Sequence, residues 1–206
     1  MKKRYWAFLI GSWCLSVGMQ AAKVDTLSVH SDAMNKEVQV ITICPDKAMA
    51  GEKCPVLYLL HGYGGNAGTW LGIKPELPQI ADKEGIIFVC PDGKNSWYWD
   101  SPLNKEYRYE TFVSKELVNY IDKNFTTKAE RGDVAVTGLS MGGHGSLWLS
   151  IRHKDVFGGG GSMSGGLDIR PFPNNWEMKK QLGEEASNKQ RWDEHTVINQ
   201  LDKIKN

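Results

Sequence analysis

An α/β fold, in which a mostly parallel sheet is covered by helices on both faces, is predicted by three features of this 206-residue sequence. Apolar runs of strand length alternate along the chain with amphipathic runs of helical length. One apolar run leads directly into a glycine-rich loop, and another ends in a G-x-S-x-G motif that opens a helix. Because the loops that follow parallel strands meet on one rim of the sheet, we expect the ligand site on that rim.

The predicted elements follow one another without a repeat, a low-complexity run or a linker, which indicates a single domain. The predicted strands cover residues 36–44, 55–60, 85–90, 133–137 and 157–163. The predicted helices cover residues 77–83, 111–125, 142–153, 176–182 and 197–204. The helix at 111–125 has the clearest pattern, since its apolar residues recur at helical spacing and form one stripe.

The G-x-S-x-G motif at residues 138–142 predicts a nucleophile elbow, which is a serine on a sharp turn between a buried strand and a helix. Side chains at Gly138 and Gly142 would collide with the neighbouring strand and helix. The serine of such an elbow takes a strained backbone conformation. We therefore predict Ser140 as the nucleophile, with the helix N-terminus behind it facing developing negative charge.

The glycine-rich loop at residues 61–66 is expected on the same rim. Its glycines let the backbone turn and present N–H groups. The backbone N–H of Tyr63 is therefore predicted to join that of Met141 in an oxyanion hole.

A third rim loop follows the strand at residues 85–90 and carries the predicted substrate contacts, which are Asn95, Trp97, Tyr98 and Trp99. Three adjacent aromatic residues in a polar loop are difficult to bury together, and aromatic rings pack well against sugar or aryl faces. The alternative is that Trp97 or Trp99 only packs the loop onto the core.

Residues 1–22 are predicted to be a secretory signal peptide, and residues 23–206 the folded domain. Three basic residues precede an apolar stretch that ends in small residues and is short for a membrane span. A retained N-terminal anchor is the alternative. Loss of the leader changes the formal net charge from +1 to −2, and no basic cluster remains to indicate nucleic-acid binding. We expect a secreted or periplasmic protein without stable membrane association.

Cys44, Cys54 and Cys90 follow the predicted leader. Cys44 and Cys54 flank a turn-rich segment, so a disulfide between them is left open for an exported protein. A strand lying between the two flanking strands would prevent that bond. Cys90 is expected to be a buried free thiol. No histidine or cysteine cluster has metal-ligand spacing, so neither a metal nor an organic cofactor is predicted.

Four segments together resemble the esterase D branch of the α/β-hydrolase superfamily, namely residues 55–62, 91–93, 138–143 and 152–157. This branch includes S-formylglutathione hydrolases, feruloyl and acetylxylan esterases, short-chain acyl esterases and mycolyltransferases. The resemblance implies a three-layer α/β-hydrolase sandwich with Ser140 as nucleophile and the N–H groups of Tyr63 and Met141 as oxyanion hole. It is specific for the branch but not for a substrate.

The family's catalytic triad follows the order serine, acid, histidine, with the last two residues on loops after later strands. Neither its D-C-G-like acid segment nor its G-x-H segment follows Ser140. We therefore expect this sequence to be the front of a longer protein, without the last strands of the sheet. Such a chain is predicted to show little turnover and an exposed sheet edge.

Histidines inside the chain offer alternatives for the base, which must reach the serine hydroxyl at roughly 2.6–3.2 Å. His61 is expected to stabilise the glycine-rich loop, and His144 to face the packing surface of the elbow helix. A triad of Ser140, Asp168 and His195 has the right order. The residues around His195 fit a charged helix surface as well.

These features predict a serine ester hydrolase that forms an acyl-enzyme on Ser140. The expected substrates are acyl or feruloyl esters, either small molecules or carbohydrate-linked. One alternative is an acyltransferase of the same fold. The other is a non-catalytic carbohydrate-binding relative that keeps an aromatic cleft without a competent base.

Overall fold

A computed structural model of the protein describes residues 22–204, so the predicted leader, apart from Ala22, lies outside the described residues. The strands are β1 Lys23–Ser31, β2 Lys36–Cys44, β3 Val56–Leu60, β4 Ile87–Pro91, β5 Val134–Leu139 and β6 Gly159–Met163. They form one sheet in the order β1-β2-β4-β3-β5-β6. The pairs β1–β2 and β2–β4 are antiparallel, and the other three are parallel.

Helices connect the parallel strands. The α-helices are α1 Asp46–Met49, α2 Thr69–Ile73, α3 Leu77–Glu84, α4 Tyr109–Thr111, α5 Val118–Asn124, α6 Met141–Arg152, α7 Met178–Leu182 and α8 Lys189–Glu194. The π-helical segment Phe112–Leu117 joins α4 to α5, so the helix predicted at 111–125 is one continuous helical stretch. The 3₁₀ helices are Arg131–Asp133, Glu185–Ser187 and Val197–Ile204.

Both faces of the central strands are buried, which confirms the three-layer sandwich. In β3, Tyr58 and Leu60 pack into one hydrophobic cluster, and Leu59 between them packs into the other. In β4, Val89 joins the first cluster, and Phe88 joins the second. This alternation is the period of two that a strand imposes, with apolar residues on both faces because helices cover both.

The strand β1 is absent from the predicted elements. Its residues alternate between exposed and buried only weakly, and most of them are polar or partly exposed. It lies at the edge of the sheet, where it pairs with β2 from Lys23↔Cys44 to Ser31↔Lys36. The tertiary pairing with β2, rather than a strong local pattern, therefore defines this strand.

The strand β6 contains three of the four consecutive glycines, and close packing by α6 explains them. A Cβ atom at Gly160 would lie 2.2 Å from Oγ of Ser150 in α6. Within residues 22–204, β6 pairs only with β5 and forms the other edge of the sheet. Its residues are mostly exposed, as expected for the edge predicted from the sequence.

The three cysteines of the described chain are buried free thiols. The strand β4 lies between β2, which ends at Cys44, and β3, which follows Cys54. Both thiols are free in the structure, so the disulfide that the sequence left open is not formed.

Candidate active site

Ser140 lies between β5 and α6, at the rim where the parallel strands end. Its backbone has φ 55° and ψ −116°, a conformation that a residue with a side chain rarely adopts. Its N–H donates to the carbonyl oxygen of Met163 in β6 (2.8 Å), and its own carbonyl accepts from His144 N–H (3.0 Å). The residue is exposed. The strained, exposed serine is the geometry that the G-x-S-x-G motif predicts.

Two glycines allow this elbow to form. A Cβ atom at Gly138 would lie 2.2 Å from the carbonyl oxygen of Gly142, so strand and helix approach through these two residues. A Cβ atom at Gly142 would lie 2.2 Å from the carbonyl oxygen of Leu60 at the end of β3. The predicted collisions are confirmed, and both contacts are with backbone atoms that have little freedom to move.

The glycine-rich loop turns directly beside Ser140. The N–H of Gly65 donates to the carbonyl of Gly62 (3.0 Å), and Gly64 between them has φ +75°, as the third residue of a type II turn requires. A Cβ atom on Gly62 would lie 3.4 Å from Cβ of Ser140. The loop therefore brings the backbone around Tyr63 to the serine.

The two predicted oxyanion-hole residues take different positions around Ser140. Tyr63 is exposed and borders the same cavity as Ser140. Met141 is buried at the start of α6, where a backbone N–H has no partner within the helix. Tyr63 and Met141 thus both lie near the serine, and their joint action on an oxyanion stays a prediction.

His61 fastens the glycine-rich loop to the loop after β4. Its Nε2 accepts a hydrogen bond from the N–H of Gly93 (2.9 Å), and its Nδ1 lies 2.7 Å from the carbonyl oxygen of Gly62. Since a backbone N–H can only donate, Nε2 carries no proton, and Nδ1 must donate to Gly62. Both ring nitrogens are occupied, so His61 stabilises the loop, as its position in the sequence predicts.

The aromatic loop after β4 corrects one expectation. Tyr98 and Trp99 are fully buried, so they do not form walls of a cleft. The ring of Tyr98 fills a slot between two glycines: a Cβ atom at Gly93 or at Gly145 would lie 2.4 Å from a ring carbon. Trp97 is also buried, at 4% exposure, but it borders the cavity at Ser140. Of the three aromatic residues, only Trp97 remains a candidate substrate contact.

Trp99 is held by a histidine of the elbow helix. Its indole N–H donates to Nε2 of His144 (2.9 Å), and Nδ1 of His144 donates to the carbonyl of Gly166 (2.7 Å). Complete burial lowers the pKa of His144 to about 4, so the ring is neutral at pH 7. With both nitrogens engaged, His144 packs the helix and is not a base for Ser140.

A cavity of about 190 Å³ opens beside Ser140. Much of its wall comes from residues 164–178, the segment between β6 and α7. Its apolar and aromatic lining consists of Tyr63, Trp97, Ile169, Phe172, Trp176 and Met178. Phe172 and Trp176 are large, exposed apolar side chains whose ring centroids are 5.5 Å apart. The arrangement provides an aromatic wall within reach of Ser140.

Asp168 and His195, the alternative acid and base, are not brought together with Ser140. Asp168 borders the cavity, but both carboxylate oxygens accept hydrogen bonds from Arg170 (2.8 Å each). His195 lines a separate cavity; its Nδ1 lies 2.8 Å from the carbonyl of Arg191. This triad is therefore not formed in the described chain.

The remaining histidines are also engaged elsewhere. Nε2 of His153 lies 2.8 Å from the buried carboxylate of Glu110. Nδ1 of His30 lies 2.9 Å from the exposed carboxylate of Glu37 on the neighbouring strand. All five histidines of the sequence fall within the described range, and each has a partner other than Ser140.

Two polar residues beside the glycine-rich loop have roles that the sequence does not reveal. Asn95 accepts a hydrogen bond from Gly64 N–H through its side-chain oxygen (2.9 Å) and donates to Glu177 (3.3 Å). Asn95 was predicted to contact substrate; it contacts the glycine-rich loop. No sequence motif marks Glu177, because only the fold brings residue 177 beside residues 63 and 95.

Residues 22–204 contain no group of three histidine, cysteine or acidic side chains arranged to hold a metal ion. In the same range, no helix combines the length and the apolar character that crossing a bilayer requires.

Comparison with known relatives extends these observations. An acetyl esterase of Caldicellulosiruptor saccharolyticus is 28% identical over 151 residues, which cover 69% of this chain and 56% of the relative. An endo-1,4-beta-xylanase/feruloyl esterase of Xylanibacter ruminicola is 34% identical over 124 residues, or 56% of this chain and 17% of the relative. A diacylglycerol acyltransferase/mycolyltransferase of Mycobacterium leprae is 36% identical over 155 residues, or 70% of this chain and 44% of the relative. The chain spans about half the length of these relatives, or less.

Solved structures share the fold. A fluorophosphonate-binding serine hydrolase of Staphylococcus aureus superimposes with a TM-score of 0.76 at 20% identity, over 90% of this chain and 74% of the other. A ferulic acid esterase superimposes with a TM-score of 0.67 at 27% identity, over 85% of this chain and 70% of the other. Residues 31–205 match the family described as "Putative esterase". With the elbow, the sheet order and this match in place, the chain belongs to that esterase family of the α/β-hydrolase superfamily.

Proposed function

We propose that the protein is a serine carboxylic-ester hydrolase that works through an acyl-enzyme on Ser140. The observation that carries the proposal is the exposed Ser140 on a strained elbow. It opens into a cavity and packs against the turn at Gly62. The matched family and its esterase relatives support the same chemistry.

The proposed reaction follows the logic of serine catalysis. Oγ of Ser140 attacks the ester carbonyl while a general base takes its proton, and the alcohol leaves with a proton returned by that base. The N–H groups of Tyr63 and Met141 hold the negative oxygen of the tetrahedral intermediate. Water then attacks the acyl-enzyme and releases the acid.

The base and the acid of this reaction are proposed to lie beyond residue 206. The engagement of all five histidines by other partners supports this placement. So does the fraction of each relative that the chain covers, which is 56% for the acetyl esterase. We therefore expect the 206-residue chain to show little turnover, because a serine without its base is a poor nucleophile.

Acyl groups with an aromatic ring, such as feruloyl, are the proposed substrates, on small or carbohydrate alcohols. Trp97, Phe172 and Trp176 at the cavity offer apolar faces on which a planar ring can pack. The feruloyl and ferulic acid esterases among the similar proteins support this choice.

Two measurements test the hydrolase in the natural-length protein, including any residues that follow Asn206. A fluorophosphonate probe should label the protein, and Ser140→Ala should abolish labelling while leaving the melting temperature within a few degrees. Hydrolysis of p-nitrophenyl acetate and of methyl ferulate should be lost with the same substitution. Absence of labelling in the natural-length protein would sink the esterase proposal and favour a non-catalytic binding protein.

An acyltransferase is the second candidate, favoured by the similarity to the mycolyltransferase. It would use the same elbow and pass the acyl group to an alcohol. Partitioning of a p-nitrophenyl ester between water and added sugar acceptors separates the two. A hydrolase keeps releasing the free acid at high acceptor concentration, and a transferase forms the new ester.

Export is proposed from the basic, apolar and small-residue order of the first 22 residues. Ala22 is buried, and its backbone N–H donates to the Asp82 carboxylate (2.6 Å). Cleavage after Ala22 would remove these contacts. Cleavage one residue earlier would give an α-ammonium group that pairs with Asp82. N-terminal sequencing of protein recovered from outside the cytoplasm should therefore begin at Ala22, and an uncleaved N-terminus or one at Lys23 would contradict this.

A further inference from the structure

The glycine-rich loop is tied to the cavity wall by a chain of side-chain hydrogen bonds, and its first member is Asn95. The side-chain oxygen of Asn95 accepts from the N–H of Gly64 (2.9 Å). The side-chain nitrogen donates to Oε2 of Glu177 (3.3 Å). The amide orientation follows from chemistry, since a backbone N–H only donates and a carboxylate only accepts. Asn95 therefore connects two segments that are far apart in the sequence.

Glu177 also lies close to the same loop. Its carboxylate is near Tyr63, and Lys180 pairs with it from the exposed side. The pKa of Tyr63 is raised by desolvation and by the nearby negative charge of Glu177. The loop is thus held by the hydrogen bond from Gly64 N–H, the residue after Tyr63, to Asn95, and Glu177 places a negative charge close to Tyr63.

The backbone at Glu177 is shaped for this contact. Trp176 and Glu177 have φ values of 50° and 56°, two consecutive left-handed residues with large side chains. The indole N–H of Trp97 donates to the carbonyl of Trp176 (3.3 Å), which fastens the turn to the loop after β4. The turn directs Glu177 toward Asn95 while Trp176 faces the cavity.

We propose that Asn95 and Glu177 are positioning residues. Their hydrogen bonds couple the loop carrying Tyr63 to the aromatic wall of the Ser140 cavity, so that the packed wall holds the Tyr63 N–H toward the reacting carbonyl. This inference rests on the proposed esterase function for its effect on rate. The coupling itself is a property of the fold and is measurable without turnover.

Substitutions of Asn95 and Glu177 should change kcat more than KM, because the oxyanion contact is made in the transition state. Asn95→Ala should lower the kcat of the natural-length protein roughly 10- to 100-fold. This loss does not exceed the loss caused by deleting an oxyanion donor. Glu177→Ala should lower kcat in the same direction, with KM changed less than threefold. The kcat of the double variant should lie within about twofold of the kcat of the slower single variant, because either substitution alone breaks the same chain of hydrogen bonds.

Conservative and control variants separate coupling from general damage. Glu177→Gln keeps an oxygen that can accept from Asn95 or Tyr63, and should restore at least half of the lost kcat. Glu184→Ala removes a carboxylate that pairs with Lys179 (3.2 Å), at the far end of the helix that follows the turn. It should leave kcat and KM unchanged. Fully multiplicative effects of Asn95→Ala and Glu177→Ala would overturn the single-chain arrangement.

Hydrogen exchange tests the coupling directly. By mass spectrometry, the peptide spanning residues 61–66 should exchange faster in Glu177→Ala than in the wild type, and Glu184→Ala should match the wild type. Unchanged exchange in Glu177→Ala would overturn the inference, whatever the activity. If the wild type neither hydrolyses esters nor binds the fluorophosphonate, the proposed function fails while this experiment still decides the coupling.

Discussion

The N–H of Gly93 donates a 2.9 Å hydrogen bond to Nε2 of His61, and so joins the loop after β4 to the loop after β3. The bond fixes the imidazole as the tautomer with its proton on Nδ1, which then donates to Gly62. His61 therefore stabilises the shape of two loops near Ser140, as its position beside the glycine-rich loop predicts.

His61→Ala should lower the free energy of unfolding by about 2–4 kcal/mol, because it leaves the Gly93 N–H unsatisfied and opens a cavity. Urea denaturation at pH 7 measures the change. His30→Ala is the matched control: that ring is half exposed in its ion pairs, so its removal should cost less than about 0.5 kcal/mol. Equal effects of the two substitutions would contradict the role assigned to His61.

Gly142→Ala should destabilise the fold by about 1–3 kcal/mol or more, because its methyl group would lie 2.2 Å from a carbonyl oxygen of β3. Gly72→Ala is a matched substitution in a helix, with no atom within 4 Å of the added Cβ. It should be neutral or stabilising by up to about 1 kcal/mol. Thermal denaturation of the two variants provides the comparison; a tolerated Gly142→Ala would mean that the elbow helix packs less closely than described.

His144 should make the protein less stable in mild acid. Its pKa is lowered by burial from the ordinary 6.5 to about 4, so between these pH values the unfolded state binds a proton that the folded state does not. Stability therefore rises with pH across this window and falls on acidification, by up to about 3 kcal/mol. Denaturation curves from pH 4 to 7 should show a shallower dependence for His144→Gln, and a slope equal to that of the wild type would contradict this assignment.

The thiols of Cys44, Cys54 and Cys90 should resist alkylation in the folded protein. All three are buried, and burial raises the pKa of Cys90 to about 12. N-ethylmaleimide at pH 7 should modify the three peptides more than about 100-fold faster in urea than in buffer. A linked peptide joining Cys44 to Cys54 in non-reduced digests would contradict the free thiols of the structure.

Much of the fold follows from local patterns. The β-branched run before Ser140 and the apolar run before His61 form buried parallel strands, because strands covered on both faces leave no polar alternation. The edge strand β1 does not follow from such patterns, since its partly exposed residues leave a weak signal and its pairing with β2 defines it. The long helix extends through a π-helical segment that a period of 3.6 residues does not anticipate.

The candidate site also has some features that local sequence predicts and others that only the tertiary structure reveals. The elbow at Ser140 is predictable because the strand, the turn glycines and the helix are neighbours in sequence. The burial of Tyr98 is not, because the slot for its ring is made by Gly93 and Gly145, one of them on a distant helix. The same limit applies to Glu177, which acquires its role only where the chain returns to the cavity.

By itself, the sequence determined the class of fold, the elbow that carries Ser140 and the loop beside it, since each depends on residues close together in the sequence. Only the tertiary structure decided which aromatic side chains reach the cavity and which histidines are already engaged. It also decided which polar residues hold the loop carrying Tyr63. Those outcomes depend on contacts between residues distant in sequence, whose geometry is set by the packing of strands and helices into one core.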